Sequence, residues 1–239
     1  MSYKDMLKQK QEEMLGQKLE FPLIKVQIDQ AEGKFRIGGT RNEEGEWEGA
    51  EYVEELRIVV FERYGEYFYF NPDTEKVEKR STIERNASEC KELISRVSIA
   101  ELKEAGYQFT YLSHLIGIKV NANPVPVDLV LKGIGVKSFI DFLTKEKDYW
   151  RKRLLYVLKV RLEKGKKGAV KFFYPVFEIQ EISEEEAKIV LENVDKVLEE
   201  FEEFRKAYNN RSRKKETEDV IEEEIADDLS EDVIEYPFA

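Results

Sequence analysis

Apolar and polar residues alternate along most of the chain, a pattern that predicts β-strands. The clearest alternation lies in 153–163, RLLYVLKVRLE, and in 169–180, AVKFFYPVFEIQ, which the short segment KGKKG joins. Two such runs around a glycine-containing connection predict a β-hairpin. Further strands are expected at 21–29, 52–62, 66–72, 76–82, 107–120 and 125–133, with Arg63, Tyr64 and Gly65 forming a hairpin turn after 52–62.

Helical periodicity is confined to a few segments. Within 183–208 apolar residues recur at helical spacing, and Ser183 with Glu186 forms a capping box. Segments 98–106, which starts with a capping box of Ser98 and Glu101, and 136–147 predict two shorter helices, whereas 83–97 is ambiguous. We therefore expect a mainly β fold, of the β-rich α+β class, built as a sandwich or barrel with a long C-terminal helix.

The chain is expected to have three parts. Residues 1–182 form the β-rich domain with an N-terminal extension, and 183–208 form the C-terminal helix. Residues 209–239 combine a basic linker with an acidic tail whose composition is typical of disorder. The long amphipathic helix either packs on the β-domain or mediates self-association, so a homo-oligomer remains an alternative.

Composition narrows the class of protein. The single cysteine, Cys90, excludes an internal disulfide and favours a reducing compartment. The polar N-terminus lacks the apolar run of a signal peptide, and no stretch approaches the ~18 apolar residues of a membrane span. We expect a soluble, cytoplasmic protein with no membrane contact. Many Lys and Glu with little Cys and Met is a weak indication of a thermophilic source.

Charge is distributed unevenly along the chain. The net charge is −11, but residues 216–239 hold eleven acidic residues and no basic one, and the remainder is neutral. Within that neutral part, residues 132–171 hold thirteen Lys or Arg and four acidic residues. The chain therefore has a basic segment inside its folded part and an acidic tail after it. This distribution of charge indicates more about function than the net charge does.

The basic segment includes the predicted hairpin, whose two faces differ. With a turn centred on Lys166, position 162 faces 170, and one face becomes almost entirely apolar. The other face then places Lys159, Arg161 and Lys171 around Phe173. Cations that follow the phosphates and an aromatic ring that stacks on a base suit single-stranded nucleic acid. A solvated strand face with an incidental Phe173 is an equally good interpretation.

Other aromatic and basic residues extend this candidate site. Tyr67 and Tyr69 share one face of their strand, opposite Tyr64 and Phe68, and Tyr149 and Trp150 lie between cations. Lys132 and Lys137 flank a Gly133–Gly135 turn at a helix start, which can present N–H groups to a phosphate or be a simple tight turn. The predicted phosphate contacts are Lys132, Lys137, Arg151, Lys152, Arg153, Lys159, Arg161, Lys164, Lys166, Lys167 and Lys171, and the predicted stacking residues are Tyr67, Tyr69, Tyr149, Trp150 and Phe173.

Signals for catalysis are poor. LKGIGVKS lacks the spacing of a phosphate-binding P-loop, and one histidine, His114, cannot complete a Ser-His-Asp arrangement. A zinc site from His114 and Cys90 would need carboxylates for its remaining ligands, which is unusual. We expect a protein that is not an enzyme and that holds neither a metal nor a cofactor.

Part of the chain resembles a known family. PVDLVLKGIGVKSFIDFL, the basic hairpin and YPVFEIQEISEEEAK, within about 107–200, resemble single-stranded-DNA-binding proteins of bacteriophages and related mobile elements. The resemblance implies an OB-like antiparallel β-barrel that coats single-stranded DNA during replication or recombination. Such relatives often carry several cysteines before the equivalent of residue 107, whereas this chain has only Cys90, so no zinc site is carried over.

The tail is similar to the acidic C-terminal tips of bacterial single-stranded-DNA-binding proteins, which dock on replication proteins. Pro237 and Phe238 match that ending, and Ala239 departs from it. The resemblance implies that the tail competes with DNA for the basic surface and recruits a polymerase, helicase or primase. The residues expected to bind the partner are Asp227, Asp228, Asp232, Tyr236, Pro237 and Phe238.

Two other function classes remain open. A scaffold or adaptor protein would use the β-domain to bind protein and the acidic tail to repel nucleic acid. A carboxylate-metal nuclease is the weaker alternative, because fifty acidic residues produce chance carboxylate pairs.

Overall fold

The computed structural model of the protein describes residues 21–42, 44–71, 76–91, 98–120 and 123–210. Strands make up 46% of it, and a long helix follows them, so the prediction of a mainly β fold with a C-terminal helix is confirmed. The six tail residues expected to bind a partner, Asp227, Asp228, Asp232, Tyr236, Pro237 and Phe238, lie outside the described residues, and so does most of the predicted linker.

One curled sheet, shaped as a half-barrel, organises the fold. Its strand order is β11-β10-β6-β8-β9-β1-β2-β5, β7 pairs with the far part of β6, and only β1 and β9 are parallel. A separate ribbon contains β3 and β4. The strands are β1 Ile24–Asp29, β2 Lys34–Ile37, β3 Thr40–Arg41, β4 Trp47–Glu48, β5 Glu51–Val53, β6 Glu55–Asn71, β7 Lys76–Arg80, β8 Thr110–Lys119, β9 Val125–Lys132, β10 Tyr156–Lys167 and β11 Val170–Glu181.

Two of the predicted helices begin at their capping boxes, the helix predicted from 136 begins at Ile134, and a short helix at Tyr149–Lys152 was not predicted. Helix α1, Ile99–Glu104, starts at the capping box of Ser98 and Glu101. Helix α2 spans Ile134–Lys145, and a short α3, Tyr149–Lys152, follows it. Helix α4, Glu184–Asn210, starts after Ser183, whose N–H donates to the Glu186 carboxylate at 3.0 Å. Single 3₁₀ turns lie at Ala87–Glu89 and Arg153–Leu155.

The hairpin predicted around Arg63, Tyr64 and Gly65 is wrong, because β6 continues through these residues as one strand of 17 residues. A shift in its pairing with β8 lies between Val60 and Glu62. Gly65 faces Ser113 inside the sheet, and a Cβ added to it would lie 2.1 Å from the Tyr111 hydroxyl oxygen. This glycine therefore permits close side-chain packing inside a strand rather than a turn.

The concave face of the sheet is filled by an apolar core. Strands from β1 to β10 contribute buried aliphatic residues such as Val26, Leu129 and Leu158, and α2 adds Phe139 and Phe142. The Phe139 ring packs edge-on against Phe177 of β11, with the centroids 5.2 Å apart. Since the core occupies this side of the sheet, the middle of the half-barrel is not an open groove.

The two ends of the curled sheet meet at one corner. The Gln30 side chain, in the β1–β2 turn, donates from Nε2 to the Phe173 carbonyl at 3.0 Å. Its Oε1 accepts the Phe173 N–H at 2.8 Å, so one amide side chain makes the two bonds that a neighbouring strand would make. This contact brings β11 across to the β1–β2 turn and fixes which face is concave.

The convex face is covered by α4. Val190, Val197, Phe201 and Tyr208 are its buried residues, and they pack on β6 and β8 side chains such as Ile116. Burying apolar side chains of this size stabilises the fold by about 1.5–3 kcal/mol each. Charged contacts hold both ends of α4, because Arg57 pairs with Glu186 at 2.7 Å and the Arg205 guanidinium reaches Glu84 at 2.8 Å.

Candidate nucleic-acid interface

The basic hairpin forms, but its register differs from the predicted one. Lys167 faces Val170 and Leu162 faces Pro175, so Gly168 and Ala169 form the turn. Gly168 has φ +59°, which suits a tight hairpin turn, whereas Gly165 lies inside β10 with the Phe172 ring across it. The predicted turn at Lys166 is therefore wrong. Leu162 pairs with Pro175 and not with Val170, a shift of five positions along β11. Because this shift is odd, each side chain of β11 lies on the opposite face from the predicted one.

The corrected register separates the cations that the sequence grouped together. Directly opposed residues share a face, so Lys164 lies beside Phe173 and Lys166 beside Lys171, on the side of Leu162. Lys159 and Arg161 lie on the opposite side. There Lys159 pairs with Glu55 at 2.9 Å, and Arg161 pairs with Glu178. Because a carboxylate already neutralises each of them, these two are poor phosphate contacts.

Phe173 is not an open stacking platform in this structure. Its ring packs over Gly33 of the β1–β2 turn, where an added Cβ would lie 2.4 Å from the ring. The Lys164 ammonium lies 5.7 Å from the ring centroid. Phe173 is therefore half-buried with a cation beside it, and a base could stack on it only after the ring leaves Gly33.

The segment around α3 is mostly structural. Tyr149 is 1% exposed and packs on Phe142, so its predicted stacking role is wrong, and burial raises the pKa of its hydroxyl. Trp150 packs partly against the concave core. Arg153 lies 4.8 Å from the Trp150 ring centroid and donates to the carbonyls of Phe61 and Trp150 at 2.6 and 2.9 Å. Arg153 therefore holds α3 against β6 rather than serving a phosphate.

Other predicted cations in this part of the chain stay at the surface. Arg151 and Lys152 are exposed, and Lys152 lies 3.9 Å from Asp148, too far for a strong pair. Lys137 is exposed on the first turn of α2, and Lys132 is half-buried at the end of β9. Among the described residues, Lys137, Lys164, Lys166 and Lys171 have no ion-pair partner.

Aromatic rings gather where the far part of β6 lies beside the start of β8 and the segment just before it. Tyr67 faces Tyr111 across the sheet with the centroids 5.0 Å apart, and Tyr69 contacts Tyr107 and Phe109 at 5.7 and 6.1 Å. Tyr107 is 38% exposed and the other four are half-buried. We call these five residues, Tyr67, Tyr69, Tyr107, Phe109 and Tyr111, the aromatic strip.

The sequence identified only part of the aromatic strip. Tyr67 and Tyr69 lie on the face opposite the buried Tyr64 and Phe68, as expected, but Tyr67 packs partly against the small cluster of Cys90, Ile99 and Leu102. Sequence reasoning missed Tyr111 of the neighbouring β8 and Tyr107 and Phe109, which lie just before β8 begins. Their alternation at 107, 109 and 111 could have indicated them, because alternate residues share a face.

Two cations lie against the aromatic strip. The Lys103 ammonium of α1 lies 4.6 Å from the Tyr67 ring centroid. Arg63 donates from Nε to Ser113 Oγ at 2.9 Å and lies 5.8 Å from the Phe139 ring centroid. Burial raises the pKa of Tyr111, and the positive charge of Arg63 opposes that rise. The hydroxyl therefore stays protonated, and the strip is neutral apart from its two cations.

The aromatic strip and the unpaired lysines are connected through α2. Arg63 links the strip to Phe139, one residue after Ser138. Ser138 Oγ donates to the Pro175 carbonyl at 2.5 Å, and Pro175 is two residues from Phe173. The first turn of α2, with exposed Lys137, therefore lies between the aromatic strip and the hairpin. This arrangement provides rings at one end and cations at the other.

The convex face contains a charge cluster that the sequence did not indicate. His114 Nδ1 lies 2.7 Å from Asp128 Oδ2, and its Nε2 lies 3.5 Å from Glu66 Oε1. Glu66 accepts from Arg80 at 2.8 Å and from the Tyr208 hydroxyl of α4 at 3.3 Å. We call Glu66, Arg80, His114, Asp128 and Tyr208 the convex charge network.

Burial and pairing act in opposite directions on the convex charge network. Burial alone would lower the pKa of His114, but Asp128 and Glu66 outweigh it and raise that pKa to about 10. Burial alone would raise the pKa of Glu66, but Arg80 and His114 lower it to about 2. His114, Glu66 and Arg80 are therefore charged near neutrality, and Glu66 links them to α4 through the Tyr208 hydroxyl.

Comparison with protein-family models, with curated proteins and with solved structures gives no match for this chain. In the part of the chain that the structure describes, no three His, Cys, Asp or Glu side chains gather as a metal site would require. No described helix combines the length and apolar character needed to cross a membrane.

Proposed function

We propose that the protein is a non-catalytic single-stranded-DNA-binding protein. The observation that carries this proposal is the aromatic strip, which lies on the curled sheet beside Lys103 and Arg63. Half-exposed rings offer stacking surfaces to unpaired bases, which a duplex keeps inside its own stack. Each stacked base contributes about 1–3 kcal/mol to binding.

The phosphates follow the cations that have no carboxylate partner within the described residues. Lys137 on α2 and Lys164, Lys166 and Lys171 on the hairpin form this set. Arg151, Lys152, Lys132 and Lys167 remain additional contacts in the proposal. Lys159, Arg161 and Arg153 are left out because each already pairs with a carboxylate or a carbonyl.

The finer expectations belong to the same proposal. The half-barrel is an OB-like module, and the protein acts in phage DNA replication or recombination inside a bacterial host. The acidic tail competes with DNA for the basic surface and recruits a replication protein. These points rest on the resemblance in the sequence and on the eleven acidic residues of 216–239.

The test is a titration of fluorescent oligo-dT with the full chain in rising salt, beside a matched duplex. If three or four lysines contact phosphates, raising the salt from 50 to 200 mM should weaken binding about twentyfold to fiftyfold. The single strand should bind at least tenfold more tightly than the duplex.

The same titration distinguishes the alternatives. Absence of binding to oligo-dT at 50 mM salt would contradict the proposal and favour a scaffold or adaptor. Equal affinity for duplex and single strand would contradict the stacking role of the aromatic strip. A chain shortened after residue 215 should bind more tightly at low salt, because the competing acidic residues are gone, and unchanged affinity would remove the competition from the proposal.

A further inference from the structure

The outer half of the basic hairpin is supported differently from its base. β10 pairs with β6 only from Leu158 to Arg161, whereas its pairing with β11 continues to Lys167. Residues 162–175, which we call the arm, therefore extend past β6 and rest on other parts of the protein. The contacts between the arm and these parts decide whether it stays in place.

Two local contacts hold the arm to the β1–β2 turn, and Ser138 of α2 holds its base by donating to the Pro175 carbonyl at 2.5 Å. The Gln30 amide donates to the Phe173 carbonyl and accepts the Phe173 N–H, at 3.0 and 2.8 Å. The Phe173 ring covers Gly33, whose φ of +65° and lack of a Cβ leave room for it. Both contacts come from side chains rather than from a continuous strand ladder, so they can break without disturbing the sheet.

The closed arm covers the aromatic ring of its own candidate binding surface. Lys164, Lys166 and Lys171 share a face with Phe173, and this is the face that contacts the β1–β2 turn. That turn carries the carboxylates of Asp29 and Glu32. With the arm in place, the three lysines stay exposed on the side of this acidic turn, whereas the Phe173 ring is packed on Gly33 and is not available to a base.

We propose that the arm is a clasp that Gln30 and Gly33 hold closed, and that single-stranded nucleic acid binds the inner face of the arm after it opens. Opening uncovers one aromatic ring with three lysines around it, and the strand then replaces the contacts made by the turn. The nucleic-acid part rests on the proposed function. The opening and closing of the arm do not depend on the proposed function.

The population of the open state controls the apparent affinity of such a site, because only open molecules bind. Gln30→Ala removes both hydrogen bonds to Phe173 and leaves the binding face intact. Loss of one or two hydrogen bonds increases the open population by about fivefold or more. The variant should therefore bind oligo-dT about fivefold more tightly than the unchanged chain.

Two further variants separate opening from binding. Phe173→Ala also frees the arm, but it removes the ring that stacks, so its affinity for oligo-dT should fall although the arm opens more often. Gln180→Ala is the matched control, because Gln180 lies at the other end of β11 and its side chain accepts from Arg57 at 2.7 Å. Gln180→Ala should change neither how often the arm opens nor the affinity for oligo-dT.

Hydrogen exchange of the arm amides measures opening without any nucleic acid. The Phe173 amide should exchange at least fivefold faster in Gln30→Ala and unchanged in Gln180→Ala, while 156–161 stays protected in both. Unchanged exchange in Gln30→Ala would overturn the clasp. Faster exchange with unchanged or weaker binding of oligo-dT would overturn the gating. If the unchanged chain binds no DNA, the proposed function fails and the exchange data still decide on the clasp.

Discussion

The convex face beneath α4 and the arm at the edge of the sheet both carry many charges, and they use them in opposite ways. In the convex charge network, buried His114 and half-buried Arg80 each lie against a carboxylate. On the arm, Lys166 and Lys171 are exposed and have no carboxylate partner among the described residues. The number of charges in a region therefore says little about its role. Pairing and burial distinguish charges that hold the fold from charges that are available to a ligand.

The largest expected effect is on stability, on the convex side. Asp128→Ala removes the fully buried carboxylate that lies 2.7 Å from His114 and leaves a buried cation with one distant partner. Breaking such a pair costs about 3–5 kcal/mol. Urea unfolding should show this loss, and oligo-dT affinity under native conditions should stay within twofold.

Asp148→Ala is the control for that measurement. Asp148 is exposed, and its pair with Lys152 spans 3.9 Å, so its loss should change the free energy of unfolding by less than about 0.5 kcal/mol. If Asp128→Ala unfolds at the same urea concentration as the unchanged chain, the convex charge network does not anchor α4.

The next effect is on binding, on the arm. Changing Lys164, Lys166 and Lys171 together to Gln should weaken oligo-dT binding about a hundredfold near 0.1 M salt and reduce the salt slope by about 2. Urea unfolding of this variant should stay close to that of the unchanged chain, since these side chains are exposed and lack ion pairs among the described residues.

The paired cations of the same hairpin provide the contrast. Lys159→Gln with Arg161→Gln removes cations that already contact Glu55 and Glu178, so binding should change by less than threefold. If this variant lost as much affinity for oligo-dT as the variant of the arm lysines, ion pairing would not distinguish cations that hold the fold from cations that bind DNA.

This contrast also shows which features the sequence could predict. Helices α1 and α4 begin at capping boxes, which are local signals, and both predictions are confirmed. The hairpin was also predicted, but KGKKG offers two glycines for the turn, and a turn centred on Lys166 put Lys171 on the wrong face. In the structure the Phe172 ring of β11 packs across Gly165 of β10, which favours the turn at Gly168 and Ala169. This is a contact between two strands, so the pattern of a single strand does not predict it.

Contacts between residues far apart in the chain explain the remaining errors. The Phe173 ring packs on Gly33, and the Arg153 guanidinium donates a hydrogen bond to the Phe61 carbonyl. Each residue lies in a segment rich in basic and aromatic residues, which is typical of a nucleic-acid site. Their partners, Gly33 and Phe61, are distant in the chain and come close only because the sheet curls. The half-exposed Tyr67 and Tyr69 were correctly placed because strand alternation alone decides their face.

A smaller effect is expected at the aromatic strip. Tyr69→Ala and Tyr107→Ala should each weaken oligo-dT binding by about 1–3 kcal/mol, if each ring stacks on one base. Tyr107→Phe keeps the ring and removes the hydroxyl, so its affinity should match that of the unchanged chain. Equal losses in Tyr107→Ala and Tyr107→Phe would mean that the hydroxyl, rather than the ring, contacts the strand.

The smallest effect separates the two regions by pH. The pKa of His114 is raised to about 10 in the folded protein, from 6.5, so its contribution to stability is complete below pH 6.5 and is lost as the pH rises towards 10. The pKa of Glu66 is lowered to about 2, from 4.5, so its contribution is complete above pH 4.5 and is lost as the pH falls towards 2. The convex charge network is therefore most stabilising between these limits.

Between pH 7 and 8 the free energy of unfolding should fall by about 1 kcal/mol, and His114→Gln should remove this dependence. Over the same range oligo-dT affinity should stay constant, because neither His114 nor Glu66 lies on the arm. A fall in affinity parallel to the fall in stability would show that the two regions are coupled. Constant stability in the unchanged chain would show that His114 is not held as a cation.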